Sequence, residues 1–221
     1  MEKESEMMRS EMKTIASGMS DACAGNAGEL RLAIVYGSTR EGRLCDEVAA
    51  WVAAQAGSRQ GFSIDPIDPL LLGLPTRHEH RPGAAVRALR ERLAAADAFV
   101  VVTPEYNHGY PAALKQLIDS AGEEWQAKPV AFVSYGGVSG GLRAVEQLRQ
   151  VFAELHAVTI RDGVSFADIW SSFDANGALA TSGAAREAAA RMLAQLRWWA
   201  KTLRDARAAS PAPAGVKEAW E

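Results

Sequence analysis

Cysteine is close to absent: Cys23 and Cys45 are the only two in 221 residues, which leaves no disulfide framework to read. No apolar run approaches the ~20 residues needed to span a bilayer, so a membrane partner is not expected. Residues 1–20 lack the continuous apolar core of a secretory signal, which sets the expectation of a cytoplasmic protein. There is no block of basic residues and no basic stripe interleaved with aromatics. With a net charge of -3, that argues against nucleic acid as a partner. No internal repeat is visible, no Gly-Lys-Ser/Thr follows the first glycine-containing loop, and the three spaced glycines of a dinucleotide fingerprint are missing. What remains is an ordinary globular composition, 48% apolar and 23% charged, in a chain long enough for one well-filled α/β domain.

The pattern along the chain divides it into an extension over 1–29, a domain over 30–205 and a tail over 206–221. Strands are expected at 31–36, 62–68, 97–103, 129–135 and 157–161. Pro66 marks the second as an edge strand, and the runs at 98–102 and 129–135 have the continuous apolar character of strands buried on both faces. Helical spacing is expected over 44–55 with Gly57 as its stop, and over 84–95, 111–120, 142–155 and 184–204. Residues 69–82, with three prolines, Gly73 and the His78-Glu79-His80 cluster, read as loop. Strands alternating with helices imply a parallel sheet covered on both faces, a three-layer sandwich. Five strands suit the flavodoxin-like order 2-1-3-4-5, whose ligands sit beyond the carboxyl ends of strands 1 and 3.

The loops of unusual composition follow strands 1, 3 and 4. The first, Gly37-Ser-Thr-Arg-Glu-Gly-Arg43, runs from a strand into a helix N-terminus. Hydroxyls of Ser38 and Thr39, the cations Arg40 and Arg43, and backbone N–H groups of Leu44 and Cys45 make a cradle for one phosphate. The bland alternative is a solvated strand-to-helix turn. The second, Pro104-Glu-Tyr-Asn-His-Gly-Tyr-Pro111, holds N–H and C=O groups at fixed angles between two prolines, as a flat heterocycle needs. An ordinary turn with Tyr106 packed on the domain competes with that reading. The third, Ser134-Tyr-Gly-Gly-Val-Ser-Gly-Gly141, lets backbone approach a ligand where side chains collide. A phosphate cradle beside a platform for a flat ring points to a mononucleotide such as FMN at the switch point.

The set Gly37–Arg43, Thr103-Pro-Glu-Tyr-Asn107 and Lys128–Gly141, in that order, resembles the NAD(P)H-dependent FMN reductases of the flavodoxin-like superfamily, which include quinone, azo and chromate reductases. The resemblance covers roughly residues 31–165. It implies that Ser38, Arg40 and Arg43 hold the FMN phosphate. Pro104, Glu105, Tyr106 and Asn107 would then line the isoalloxazine, largely through backbone groups, and Ser134, Gly136 and Gly137 would close the other side. Relatives commonly carry serine where Arg43 stands, so a longer cation replaces a hydroxyl there. The resemblance further implies NADPH or NADH as co-substrate, a small-molecule electron acceptor such as a quinone, azo compound, metal oxyanion or free flavin, and a homodimer or homotetramer.

The flavin carries this chemistry, so no side chain is nominated as catalytic. The other class of reading is an electron carrier like flavodoxin, or a flavin-based redox sensor acting on a partner protein. The lack of an acidic block and of a paired aromatic sandwich favours the enzyme. His78-Glu79-His80 is not read as a metal site, because alternating side chains on a loop do not close a ligand set. Ser139 and His156 are not read as a hydrolytic pair, on the expectation that no nucleophile elbow frames the serine. Cys45, beside Arg43, is expected to be a buried, inert thiol. Trp170 and Phe173 are assigned to a lid, a subunit interface or surface packing, and Arg197-Trp-Trp199 mainly to a core seam.

Overall fold

The computed structural model describes residues 29–59, 61–77, 80–174 and 179–210. The His78-Glu79-His80 cluster, not expected to bind metal, falls mostly outside these residues, since His78 and Glu79 are not described. Strands β1 (Leu30–Tyr36), β2 (Phe62–Ile67), β3 (Ala98–Pro104), β4 (Pro129–Tyr135) and β5 (Val158–Thr159) lie in the order β2-β1-β3-β4-β5, all parallel. β6 (Val164–Phe166) also pairs with β4. The expected sheet order and doubly wound sandwich are therefore present.

Strand periodicity sorts the core into two layers. Leu32, Ile34, Val100, Val102, Ala131 and Val133 pack on one face, with α1 (Cys45–Arg59) and the long α6 (Gly183–Ala209) over them. Ala33, Val35, Phe99, Val101, Val130 and Phe132 face the other way. There α3 (Ala84–Ala95), α4 (Ala112–Asp119) and α5 (Leu142–Glu154) cover them. Trp125, fully buried, anchors this second layer with its ring edge-on to Phe152 at 5.4 Å and tilted against Phe99 at 4.6 Å.

Four local expectations are corrected. Gly57 does not stop α1, which continues to Arg59; the reversal comes at Gly61, whose φ of 61° only glycine adopts readily. Within the expected loop, Pro69–Leu72 forms a single helical turn, α2, because Asp68 caps the Leu70 N–H and Pro69 fills the first helical position. The fifth strand, expected over 157–161, is only Val158–Thr159 (β5), and β6 forms beyond it where no strand is expected. The carbonyls of Ile160 and Arg161 turn to the Arg149 guanidinium instead of a neighbouring strand. Finally, the last helix runs on to Ala209, where Arg207 Nη1 donates to the Ala127 carbonyl and Arg204 Nη1 to that of Glu29. On its outer face Trp198 is exposed and meets Trp199 edge-on at 4.9 Å, while Leu193 and Leu196 are buried.

A buried lysine sits at the opposite end of the sheet from the unusual loops. Lys128 Nζ donates to the carbonyls of Leu93 (2.7 Å) and Ala94 (2.8 Å), closing the end of α3. Burial pushes its ammonium down to about 8.

Candidate functional site

The first loop leaves β1 hard against β3. Gly37 N–H donates to the Val102 carbonyl, and a Cβ on Gly37 would lie 2.6 Å from that oxygen, so only glycine fits. Ser38 follows completely buried, its hydroxyl 2.7 Å from the Tyr106 hydroxyl and accepting the Arg40 N–H at 3.3 Å. Thr39, Arg40, Glu41 and Gly42 are exposed, and the Arg40 guanidinium carbon stacks 4.2 Å from the centre of the Tyr106 ring. In α1 the first backbone bond runs from Val48 N–H to the Leu44 carbonyl. The N–H groups of Leu44 to Glu47 therefore have no helical acceptor and point toward the loop end.

Arg43 is placed differently from a free phosphate ligand. Its guanidinium is bidentate on Asp68 (2.8 and 2.5 Å), bonds Asp46, and donates to the Ser38 carbonyl at 2.5 Å. The two side chains are nearly buried, 6% and 11% exposed for Arg43 and Asp68. Burial pushes the Asp68 carboxyl up, but the bonds from Arg43 and the Leu70 N–H outweigh it and hold the carboxyl below its ordinary value. The same pairing raises the Arg43 guanidinium. Arg43 thus clamps the end of β2 to the first loop, and the cation exposed at the cradle is Arg40.

The second loop is a tight turn. Tyr106 and Gly109 exchange both backbone hydrogen bonds (2.9 and 3.1 Å), with Asn107 and His108 at φ of 52° and 68° between them. Paired positive φ values match the twist of a two-residue hairpin and strongly favour Asn at the first site. Tyr106 reaches from here to Ser38; Glu105 reaches the other way. Its carboxylate accepts from the Ser139 hydroxyl (2.9 Å), the Arg143 N–H (3.1 Å) and the Arg143 guanidinium (2.5 Å). Burial raises the Glu105 carboxyl, yet these donors bring it below its usual value.

In the third loop the four glycines divide by role. Gly140 and Gly141 have φ of 58° and 83°, and a Cβ on Gly141 would lie 2.8 Å from the Ser134 Cβ. Those two serve the chain's own packing, helped by the Ser134 hydroxyl donating to the Gly140 carbonyl at 2.7 Å. Gly136 and Gly137 remain half-exposed, and the nearest atom to a Cβ on Gly137 would be the Trp170 ring at 3.9 Å. Trp170 itself is 67% exposed and Val138 83%. Their apolar surfaces flank the open glycines.

All three loops thus meet at the carboxyl edge of β1, β3 and β4, with the second joined to each neighbour by a side chain. Cys45 lies beneath, fully buried, its thiol 3.7 Å from the Val102 carbonyl; burial pushes the thiol up, so it is not an activated nucleophile. Residues 137–141 do spell Gly-x-Ser-x-Gly, against the sequence expectation. Ser139 nevertheless donates to Glu105, and His156 sits beyond the far end of α5, about 20 Å away along a 13-residue helix. No hydrolytic pair forms. Asp68 and the carboxylate role of Glu105 were the contributions missed from sequence; Asp68 carried one usable signal, its place directly before a proline at a cap. Among the described residues no group of three or more His, Cys, Asp or Glu is arranged to hold a metal, and no helix is long and apolar enough to cross a membrane.

Comparison with known proteins gives a consistent picture. A family model described as NADPH-dependent FMN reductase matches residues 30–171. An NAD(P)H-dependent FMN reductase of Schizosaccharomyces pombe is 36% identical over 132 residues, covering 55% of this chain and 64% of that protein's own length. One from Pseudomonas aeruginosa is 34% identical over 155 residues, 65% of this chain and 82% of the relative. A 2-hydroxy-1,4-benzoquinone reductase from a Burkholderia species is 32% identical over 158 residues, 67% and 84% of the two chains. Among solved structures, the flavoenzyme NAD(P)H:(acceptor) oxidoreductase FerB from Paracoccus denitrificans superimposes with a TM-score of 0.64 at 21% identity, over 78% of this chain and 98% of that one. That likeness speaks to the fold.

Proposed function

The chain belongs to the NADPH-dependent FMN reductase family, and from that premise we propose that it is an FMN-dependent NAD(P)H oxidoreductase delivering reducing equivalents to small acceptors of the quinone class. The observation that carries this reading is the junction of the three loops: an anion cradle and the half-exposed Gly136 and Gly137 share one sheet edge, connected through Tyr106 and Glu105. The donor set suits FMN. Exposed Arg40 and Thr39 and the unpaired N–H groups of Leu44 and Cys45 form the phosphate end. Ser38 and Arg43 shape that loop from below. The backbone of Pro104 to Asn107 would flank the ring on one side, with Gly136 and Gly137 on the other and Ser134 fixing the turn beneath.

Bound there, FMN supplies the hydride-accepting and hydride-donating chemistry between NAD(P)H and acceptor. The protein's part is positioning. Within Pro104–Asn107 the Glu105 and Tyr106 N–H groups are bonded to the Tyr135 and Gly109 carbonyls. The donor left for a ring that gains negative charge on reduction is the Asn107 N–H, and a preset donor stabilises charge without reorganising. Exposed Trp170 and Val138 beside the open glycines give an apolar rim for a flat aromatic acceptor or nicotinamide. The same exposed apolar surface, with Leu142, supports assembly as a homodimer or homotetramer. A cytoplasmic site of action fits a reaction that draws on NAD(P)H.

Anaerobic stopped-flow mixing of the FMN-loaded protein with NADPH, and separately NADH, tests the proposal by flavin absorbance. Bleaching much faster than for free FMN is the expected result. Bound flavin that stays oxidised would replace the enzyme with a carrier or sensor, and failure to bind flavin would reject the site.

A further inference from the structure

Helix α5 begins without any cap of its own. Its N-cap position is Gly141, which offers no side chain, and its first turn contains no acidic residue. Orphan N–H groups at a helix start need an acceptor, and a carboxylate there is also favoured by the helix dipole. The acceptor arrives from 38 residues upstream: Glu105 takes the Arg143 N–H, and the same carboxylate takes the Ser139 hydroxyl and the Arg143 guanidinium. The Glu105 side chain is only 7% exposed, while that of Arg143 is 45% exposed. The two loops are also in backbone register, since Glu105 N–H donates to the Tyr135 carbonyl. A Cβ placed on Gly136 would lie 3.9 Å from the Glu105 Cβ, so the second and third loops touch at these two residues.

Resting on the FMN reading above, we propose that Glu105 is a positioning residue for the ring. Its carboxylate is taken up by Ser139 and Arg143 and serves as the missing cap of α5. It thereby fixes the spacing between the Pro104–Asn107 backbone on one side of the ring and Gly136 and Gly137 on the other. Because the phosphate end is built from a different loop, Glu105 acts on the ring alone. Its loss therefore weakens FMN and riboflavin, which lacks the phosphate, to the same degree.

The test uses Glu105→Gln, nearly isosteric, with Ser139→Ala as a milder second variant that removes one of the three bonds. Hydrogen exchange at the amides of residues 139–144 is measured without flavin, and fluorescence titrations give affinities for FMN and for riboflavin. The amide group of Gln presents donors where Arg143 also donates, so exchange at Arg143 and its neighbours should rise about tenfold, as expected for loss of a charge-assisted hydrogen bond. Both flavins should bind roughly 3- to 10-fold more weakly by a common factor, the same magnitude argument applied to a partly loosened loop. Visible circular dichroism of the bound flavin at saturation should also change, which a mere loss of global stability would not produce. Ser139→Ala should shift every readout the same way by less. Unchanged exchange overturns the cap whatever the flavin does. Raised exchange with a loss confined to FMN overturns the ring role. Wild-type protein that binds neither flavin overturns the FMN reading and the ring role together, while the exchange measurement still decides the cap.

Discussion

Arg43→Ser separates two roles that one side chain was expected to combine. In the structure the Arg43 guanidinium is engaged by Asp68, Asp46 and the Ser38 carbonyl. Removing it leaves the Asp68 carboxylate, 11% exposed, with the Leu70 N–H as its remaining bond. Breaking one side of a buried pair costs roughly 3–5 kcal/mol. The retained N–H bond and slight exposure put this case near the lower end, about 3 kcal/mol. The Asp46 contact adds little, because that side chain is 55% exposed. Urea unfolding should show the loss, and Asp68→Asn in the Arg43→Ser background should restore a large part of it, giving a coupling energy of about 1.5 kcal/mol or more. The sign with pH follows from the depressed Asp68 carboxyl: the pair's stabilisation is complete above the unfolded carboxylate value and disappears as pH falls through the lower folded one. The Arg43→Ser protein should therefore show a flatter acid limb. Meanwhile the ratio of FMN to riboflavin affinity should stay close to wild type. A selective loss of FMN binding, or a stability loss that Asp68→Asn leaves untouched, would refute the clamp and return Arg43 to the phosphate.

Three further outcomes follow from single observations. Lys128, pushed down to about 8 by burial, binds its proton more weakly folded than unfolded, so the native state gains stability as pH rises from about 8 to the ordinary lysine value. The unfolding free energy of wild type relative to Lys128→Met should climb by up to about 3 kcal/mol between pH 8 and 10.5, and a flat difference would place the ammonium in solvent. Gly141→Ala meets both a φ of 83° and a Cβ 2.8 Å from the Ser134 Cβ, so denaturation should register a loss of about 3 kcal/mol; tolerance within 0.5 kcal/mol would contradict the geometry. In a Cys23→Ser background, Cys45 should resist a thiol reagent at pH 8 until the protein unfolds, because it is fully buried with its thiol pushed up; rapid native labelling would show the first loop opening.

The sequence made the sheet order legible because its signals are local. Apolar runs at 98–102 and 129–135 read directly as strands buried on both faces, and alternation with helical segments then allows few topologies. Local signals failed where a distant group decides the outcome. Nothing near Ala157–Arg161 announces that Arg149 will take two of its carbonyls and break the strand. Nothing around Gly57 shows that the helix continues to Arg59 before the chain reverses at Gly61.

The candidate site divides along the same line. That three odd loops share one edge follows from topology, and topology follows from pattern; which atoms within them face a ligand does not. Ser38 and Arg43 are nominated for their donors and charge and Glu105 for its backbone, yet each side chain is engaged by a partner 25 to 68 residues away in sequence. Arg43 finds Asp68, Ser38 finds Tyr106, and Glu105 finds Ser139 and Arg143. A polar residue in a binding motif is therefore of two kinds: one that meets the ligand and one that holds the ligand-meeting backbone in place. The second kind is recognised only when its partner is seen. It follows that Thr39, Arg40 and the Leu44 and Cys45 amides should govern phosphate affinity. Arg43 should instead govern the stability of the first loop, and Glu105 the spacing of the two loops beside the ring.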